Sequence, residues 1–173
     1  MVSARIRFAR PDELADLVAI ETAAERLFVD LGIELPEGSV TEAWVFEEAC
    51  LEQRLLVAVD DGDRPVGFAL LEIVDGDVYL DEVDVHPDFG RRGLGAALVR
   101  ASCDWAVTHG HAAIALTTWR DVPWNGPFYR RLGFVEVPDA ALGPELAAIR
   151  RAEERRGLGR QYARCAMRRE LRP

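Results

Sequence analysis

Two neighbouring groups of residues near the middle of the chain have the types and spacing to do chemistry. Gly90-Arg91-Arg92-Gly93-Leu94-Gly95 is a glycine-rich loop, and Ala96-Ala97-Leu98-Val99 after it opens an apolar helical pattern. A helix that begins in glycines presents unpaired backbone N–H groups and partial positive charge to whatever lies in front of it. Glycine also lets a bulky anion come close to the backbone. With two arginines inside it, the loop reads as a phosphate site. Just ahead stand Asp81, Glu82 and Asp84, interleaved with Leu80, Val83 and Val85. Three carboxylates within four positions create a field that attracts an ammonium group, and the same field opposes its deprotonation.

The loop admits three readings. Gly93-Leu94-Gly95 begins like a dinucleotide fingerprint, but the third glycine position holds Leu98, and that fingerprint usually follows the first strand of a domain. A plain glycine turn between strand and helix is the second reading. The third is a pyrophosphate site of the acyl-CoA type, with the pattern (Gln or Arg)-x-x-Gly-x-(Gly or Ala) after a strand ending in Val-x-Pro. The stretch Val85-His86-Pro87 through Gly95 resembles it, with Gly90 in place of the usual first residue.

Composition narrows the class of protein. A chain of 173 residues, 49% apolar and 29% charged, predicts one globular domain over residues 1–173 with a substantial core. No apolar run approaches the roughly 18 residues of a membrane span, and the first residues lack the apolar stretch of a secretory signal. A cytoplasmic protein that binds no membrane is expected. Cys50, Cys103 and Cys165 are far apart and form no C-x-x-C pair, which predicts reduced, packed thiols. His86, His109 and His111 show no ligand spacing, so no metal site is expected; His109 and His111 flank Gly110 at a helix end, where positive charge suits the dipole. The charge is uneven. Residues 1–90 carry 6 arginines against 22 acids, a net of −16, and residues 91–173 carry 15 arginines against 8 acids, a net of +7, with no lysine anywhere. The switch falls at the glycine loop. An acidic total of −9 speaks against general nucleic-acid binding.

The elements that must position these residues follow from periodicity. Arg5–Phe8 alternates as a strand, Pro11 opens a helix running to about Asp30, and Gly32–Val40 reads as a loop. A helix over Thr41–Gln53 precedes three strands, at residues 55–59, 66–73 and 78–85, joined by tight Asp/Gly turns as an antiparallel meander. His86-Pro87 ends the last of them. A helix over residues 92–108 and an apolar strand at 112–117 make a β-loop-α-β unit, which implies a parallel pair. A short helix at 126–132 ends at Gly133, a suitable left-handed cap. A strand at 134–137, a helix at 144–156 and a strand at 161–169 complete the chain.

Three patterns in this order resemble the GNAT superfamily of acyl-CoA-dependent N-acetyltransferases: Val83-Asp84-Val85-His86-Pro87, Gly90-Arg91-Arg92-Gly93-Leu94-Gly95, and Phe128-Tyr129-Arg130-Arg131-Leu132-Gly133-Phe134. The resemblance implies an α+β fold with a mixed, splayed sheet of about seven strands flanked by helices. It implies acetyl-CoA as co-substrate, held by Val83, Asp84 and Val85 of the fourth strand, by Arg91, Arg92, Gly93, Leu94, Gly95 and Ala96 of the loop, and by Asn125 and Phe128 farther on. For Asn125, capping the short helix is the favoured alternative.

The implied reaction is attack of an amine on the acetyl-CoA thioester, with a backbone N–H near Val83 or Val85 facing the oxyanion. Glu82 matches the glutamate that many relatives turn toward the acceptor, with Asp81 and Asp84 as rivals. Tyr129 matches the residue that many relatives place near the sulfur; the plain alternative is an aromatic packed on a helix face. Some relatives that acetylate protein N-termini carry a glutamate on the fifth strand; the matching position here is Thr117. The resemblance therefore points to a primary amine of a small molecule, with a second copy of the chain as a candidate partner. Acetylation of protein lysines or N-termini, and a non-catalytic acyl-CoA-binding module, are the alternatives.

Overall fold

The computed structural model describes residues 5–36 and 38–171. Seven strands, β1 (Arg5–Phe8), β2 (Leu55–Val59), β3 (Pro65–Val74), β4 (Asp77–Val85), β5 (Ala113–Trp119), β6 (Val135–Val137) and β7 (Arg164–Glu170), form one sheet in the order β1-β2-β3-β4-β5-β7-β6. The helices are α1 (Leu14–Val29), α2 (Ala43–Leu51), α3 (Leu94–Thr108), α4 (Gly126–Arg131) and α5 (Pro144–Arg155). β1 with β2, β2 with β3, β5 with β7 and β6 with β7 are antiparallel, and β4 with β5 is parallel. The α+β class and the mixed sheet of seven strands are therefore as expected. Helix and strand ends differ from the periodicity reading by up to three residues, because terminal turns satisfy their backbone groups in several ways.

Two compact units divide the chain. The first comprises Met1–Glu72 and Leu80–Asp104. Its core packs Leu17 and Ile20 of α1 and Phe46 and Ala49 of α2 on Leu55, Val57, Phe68 and Leu70 of β2 and β3. Every residue of β2 is buried, which is why that strand reads as a continuous apolar run. Phe46 and Phe68 meet edge to face with centroids 5.3 Å apart, a pair that contributes about 0.5–1.5 kcal/mol beyond its buried area. The start of α1 is fixed by Glu13, which accepts hydrogen bonds from the Arg10 N–H at 2.9 Å and from Arg7.

The second unit comprises Ile73–Tyr79 and Trp105–Pro173. Tyr79, Ala115, Leu146 and Ala166 are buried together in it. Asp75, in the turn between β3 and β4, accepts from the N–H groups of Glu145 and Leu146 at 3.0 Å each and so caps α5 from a distant point in sequence. His109 stacks on Trp105 with centroids 3.9 Å apart, and His111 lies 6.1 Å from the same ring. Both histidines are thus placed by ring stacking as well as by the helix end. Cys103 and Cys165 are buried, Cys50 is half-buried, and none of the three is in a disulfide.

Candidate active site

In the first unit, β4 ends at Val85, and the His86 N–H donates to the Val66 carbonyl at 2.9 Å. Pro87–Phe89 makes one 3-10 turn, closed by Gly90 N–H donating to Pro87 O at 3.0 Å. The chain then takes two left-handed residues, Arg91 at φ +57° and Gly93 at φ +82°. The first bond of α3 runs from the Ala97 N–H to the Gly93 carbonyl at 3.0 Å. The N–H groups of Leu94, Gly95 and Ala96 precede that bond and have no acceptor within the helix. A non-glycine residue held left-handed costs energy that the surrounding loop must offset, so Arg91 marks this turn as a built conformation. Arg92 is tethered, donating to the Asp88 carbonyl at 3.0 Å and lying 5.2 Å over the Phe89 ring. Arg91 is exposed. One glycine outside the loop also matters here. A Cβ at Gly67 would come within 2.7 Å of the Asp84 carbonyl and 3.1 Å of the Val85 side chain, so β3 must be bare there for residues 84 and 85 to sit where they do.

The three acids of β4 part company. Asp81 is exposed, and Glu82 and Asp84 are half-buried. Asp84 feels the charge of two acids of α1, Glu21 and Glu25. Burial, and then the charges of Glu21 and Glu25, push its carboxyl well above the ordinary aspartate range. Glu21 is only 2% exposed. Burial and the charge of Glu25 raise it too, partly offset by the N–H and hydroxyl of Thr41, which donate to its Oε1 at 2.8 and 2.9 Å. The sequence reading passed over this pair. The signal was present: Glu21 falls in the helical stripe Leu17, Ile20, Ala24 that faces the core, where a carboxylate has no place without a purpose.

In the second unit, α4 begins at Gly126, where an added Cβ would lie 2.1 Å from the Arg120 carbonyl. Tyr129 is 9% exposed, with its ring 5.0 Å from Phe128 and 5.6 Å from Phe134 in tilted contacts. Its N–H donates to the Asn125 carbonyl at 3.0 Å. Asn125 does occupy the cap position, but its side chain makes no capping bond. The favoured capping role is therefore corrected: Asn125 Oδ1 is buried and has no hydrogen-bond partner among the described residues. The residue's φ of −113° and ψ of −109° are not those of a side-chain cap, which sits in extended backbone.

Thr117 is also not idle. Its hydroxyl pairs with the Tyr79 phenol at 2.8 Å and donates to Glu153 Oε1 at 2.5 Å. Glu153, 8% exposed, takes Arg164 at 2.6 Å and Arg150 at 2.6 Å. Burial would raise the Glu153 carboxyl, but the two arginines and Thr117 together hold it below its ordinary value. Arg164 in turn lies 4.5 Å over the Trp119 ring. A carboxylate thus stands beside the fifth strand, supplied by α5 from 36 residues away in sequence.

Among the described residues, no group of three histidine, cysteine or acidic side chains is placed to hold a metal ion, and no helix is long and apolar enough to cross a membrane.

Residues 18–134 match the family model described as acetyltransferase (GNAT) family. The chain is 36% identical to the mycothiol acetyltransferase of Clavibacter sepedonicus over 95 residues, 55% of this chain and 30% of that one. It is 32% identical to the [ribosomal protein bS18]-alanine N-acetyltransferase of Salmonella typhimurium over 90 residues, 50% of this chain and 58% of that one. These matches span less than two thirds of either relative. The fold is similar to that of the PaiA N-acetyltransferase of Thermoplasma acidophilum in complex with coenzyme A, with a TM-score of 0.65 and 15% identity over 98% of this chain and all of that one.

Proposed function

Because the chain belongs to the acetyltransferase (GNAT) family, we propose that it moves an acetyl group from acetyl-CoA to the primary amine of a small molecule, by direct attack within a ternary complex. The observation that carries this reading is the turn at Arg91–Gly93, whose left-handed geometry leaves the N–H groups of Leu94, Gly95 and Ala96 free of helical acceptors. Such a terminus suits a pyrophosphate, with Arg91 adding charge from an exposed position. The orphaned, buried Oδ1 of Asn125 supports a second contact. It would accept from an amide N–H of the pantetheine arm, and Phe128 beside it would line that arm. The relative in complex with coenzyme A has the same fold, which is consistent with this co-substrate.

In this reading the backbone of Val83, Asp84 and Val85 runs beside the acyl group, and an N–H there donates to the oxyanion as the amine adds to the carbonyl carbon. The nucleophile must first lose a proton, since an alkylammonium has a pKa near 10. Glu82 accepts that proton, through water. The C–S bond then breaks, and Tyr129 hydrogen-bonds or protonates the departing thiolate. Holding both substrates in one geometry supplies much of the rate.

A second reading, acetylation of a protein N-terminus, is favoured by the match to the bS18-alanine N-acetyltransferase. Against it stands Thr117, which replaces the fifth-strand glutamate of such enzymes and is engaged by Tyr79 and Glu153. The test is a turnover screen of acetyl-CoA with small amines and with peptides bearing a free N-terminal alanine, paired with calorimetry on Gly93→Glu. Small amines should turn over and peptides should not, and the variant should lose acetyl-CoA binding while remaining folded. Turnover of peptides alone would select the second reading. Undiminished acetyl-CoA affinity in Gly93→Glu would remove the loop assignment.

A further inference from the structure

A cleft of about 300 Å³, partly open to solvent, lies within the first unit between α1 and the turn that leaves β4. Asp16, Ala19 and Ile20 line it from α1, where their spacing puts them on one face of the helix. His86 and Phe89 line it from the turn, and Val66 from β3. Ile20 and Val66 are nearly buried and give the cleft an apolar lining. Ala19 is exposed, and its small side chain leaves the space unfilled. The volume is at the lower end of the range for small-molecule sites.

The charges around the cleft do not cancel. Asp60 and Arg64 also line it and neutralise each other. Asp60 Oδ2 accepts from the Arg64 guanidinium at 2.9 and 3.1 Å, and its Oδ1 accepts from the N–H groups of Gly62 and Arg64 at 2.9 and 3.0 Å. The Asp16 carboxylate is exposed and forms no ion pair among the described residues. One unmatched negative charge thus stands beside an apolar lining that includes two rings, His86 and Phe89, with centroids 6.2 Å apart and planes inclined by 74°. A cation suits the charge, and an aromatic body suits the lining. A bare metal ion is not served, since a single unpaired carboxylate lacks the ligand number that such ions take.

What such a ligand does follows from the wall it rests on. The Phe89 N–H donates to the His86 carbonyl at 2.9 Å, and His86 Nδ1 accepts from the Asp88 N–H at 3.3 Å. Arg92 lies 5.2 Å over the Phe89 ring and donates to the Asp88 carbonyl at 3.0 Å. The residues that wall the cleft are therefore the ones that lead into the left-handed turn at Arg91–Gly93. A ligand that touches these rings in only one arrangement of the turn shifts the turn toward that arrangement. We propose that the cleft is an effector site for a small organic monocation with an aromatic body, held at its charge by Asp16 and at its ring by His86 and Phe89, and that its occupancy tightens acetyl-CoA binding at the loop. The cleft stands apart from the transfer reaction; only the coupling rests on the reading of the loop as the co-substrate site.

Calorimetry with phenethylamine, and with phenethyl alcohol as its neutral counterpart, tests the site at fixed pH and low salt. Free CoA takes the place of acetyl-CoA, so that nothing is transferred. The amine should bind about fivefold more tightly than the alcohol, the upper end for an exposed ion pair, and Asp16→Asn should remove that preference. Ala19→Phe fills the cleft from an exposed helix position and should abolish binding of both probes, while CoA affinity in their absence stays at the parental value. Saturating amine should raise CoA affinity at least about fivefold, and CoA should raise amine affinity by the same factor. Asp16→Asn decides the matter should Ala19→Phe not fold. Amine binding that survives both substitutions lies elsewhere, at an acceptor site, and overturns the proposal. Equal affinity for amine and alcohol, or a CoA affinity that the amine leaves unchanged, overturns it too. A parent protein that binds no CoA would remove the loop assignment and the coupling, whereas loss of amine binding in Ala19→Phe would still establish the cleft.

Discussion

Tyr129 packs against its aromatic neighbours, and the role proposed for its hydroxyl at the departing thiolate can be tested apart from that packing. Its ring is packed between Phe128 and Phe134, so a substitution that keeps the ring keeps the packing. Tyr129→Phe should lower kcat by about tenfold or more, within the range for a lost proton donor, with little change in the KM for acetyl-CoA, because the interaction forms only as the thiolate leaves. Steady-state kinetics at saturating amine checks this; a parental rate would leave Tyr129 as a packing residue. Glu82 is tested differently. Glu82→Gln preserves shape and removes basicity, so turnover at neutral pH should drop at least about tenfold and recover in part at high pH, where more free amine is present. A pH–rate profile parallel to that of the parent, merely lower, would make Glu82 a group that orients the acceptor.

At the scale of elements, α4 depends on a single hydrogen atom. Gly126 is placed against the Arg120 and Trp119 carbonyls with no room for a methyl group, and the helix that follows holds Phe128 and Tyr129. Gly126→Ala must displace the start of α4 or the end of β5. We expect a loss of about 1–3 kcal/mol, the scale of an overpacked site, read by denaturant unfolding, together with weakened acetyl-CoA binding. A variant as stable as the parent would show that the turn adjusts freely. The α5 helix is held by charge as well as by packing. Glu153→Gln leaves Arg164 and Arg150 facing a neutral group, and removing one partner of a buried pair costs roughly 3–5 kcal/mol. Unfolding in urea should show a loss of that size without a change in the slope.

Over the whole molecule, two sets of acids pull stability in opposite directions with pH. Asp84 and Glu21 have carboxyls raised by burial and by neighbouring acids, and Glu25 has one raised by burial. A raised carboxyl costs stability above its unfolded value, about 4, and that cost is relieved as pH falls through the folded value. Glu153, Glu13 and Asp63 are lowered by their arginine partners, Asp63 to about 2. Their contribution is present above the same unfolded values and is lost as pH falls further. The melting temperature should therefore rise as pH is lowered from neutrality into mild acid and fall again below about 4. Asp84→Asn should flatten the upper limb, raising the melt at neutral pH and leaving the acid limb unchanged; a parental profile in that variant would separate Asp84 from stability.

The sequence by itself determined the order and type of the elements, the α+β class and the left-handed glycine turn that opens α3, because these follow from local periodicity, from proline and glycine positions, and from a continuous motif in residues 83–95. Residue type and spacing there also single out Glu82, Asp84 and Tyr129 as candidates for the chemistry. Only the tertiary structure decided which distant polar groups act on one another. Glu21 and Asp84, whose charges act on each other, are 63 positions apart, and Thr117 and Glu153 are 36 apart; nothing local encodes such pairings, since they arise only when the elements that carry them fold together. Asn125 makes the same point. Its type and place spelled a helix cap, but the backbone at that turn carries its side chain away from the helix N–H groups and leaves its oxygen buried without a partner. Capping propensity is a local preference worth about 1 kcal/mol, and the fit of Gly126 against Arg120 outweighs it.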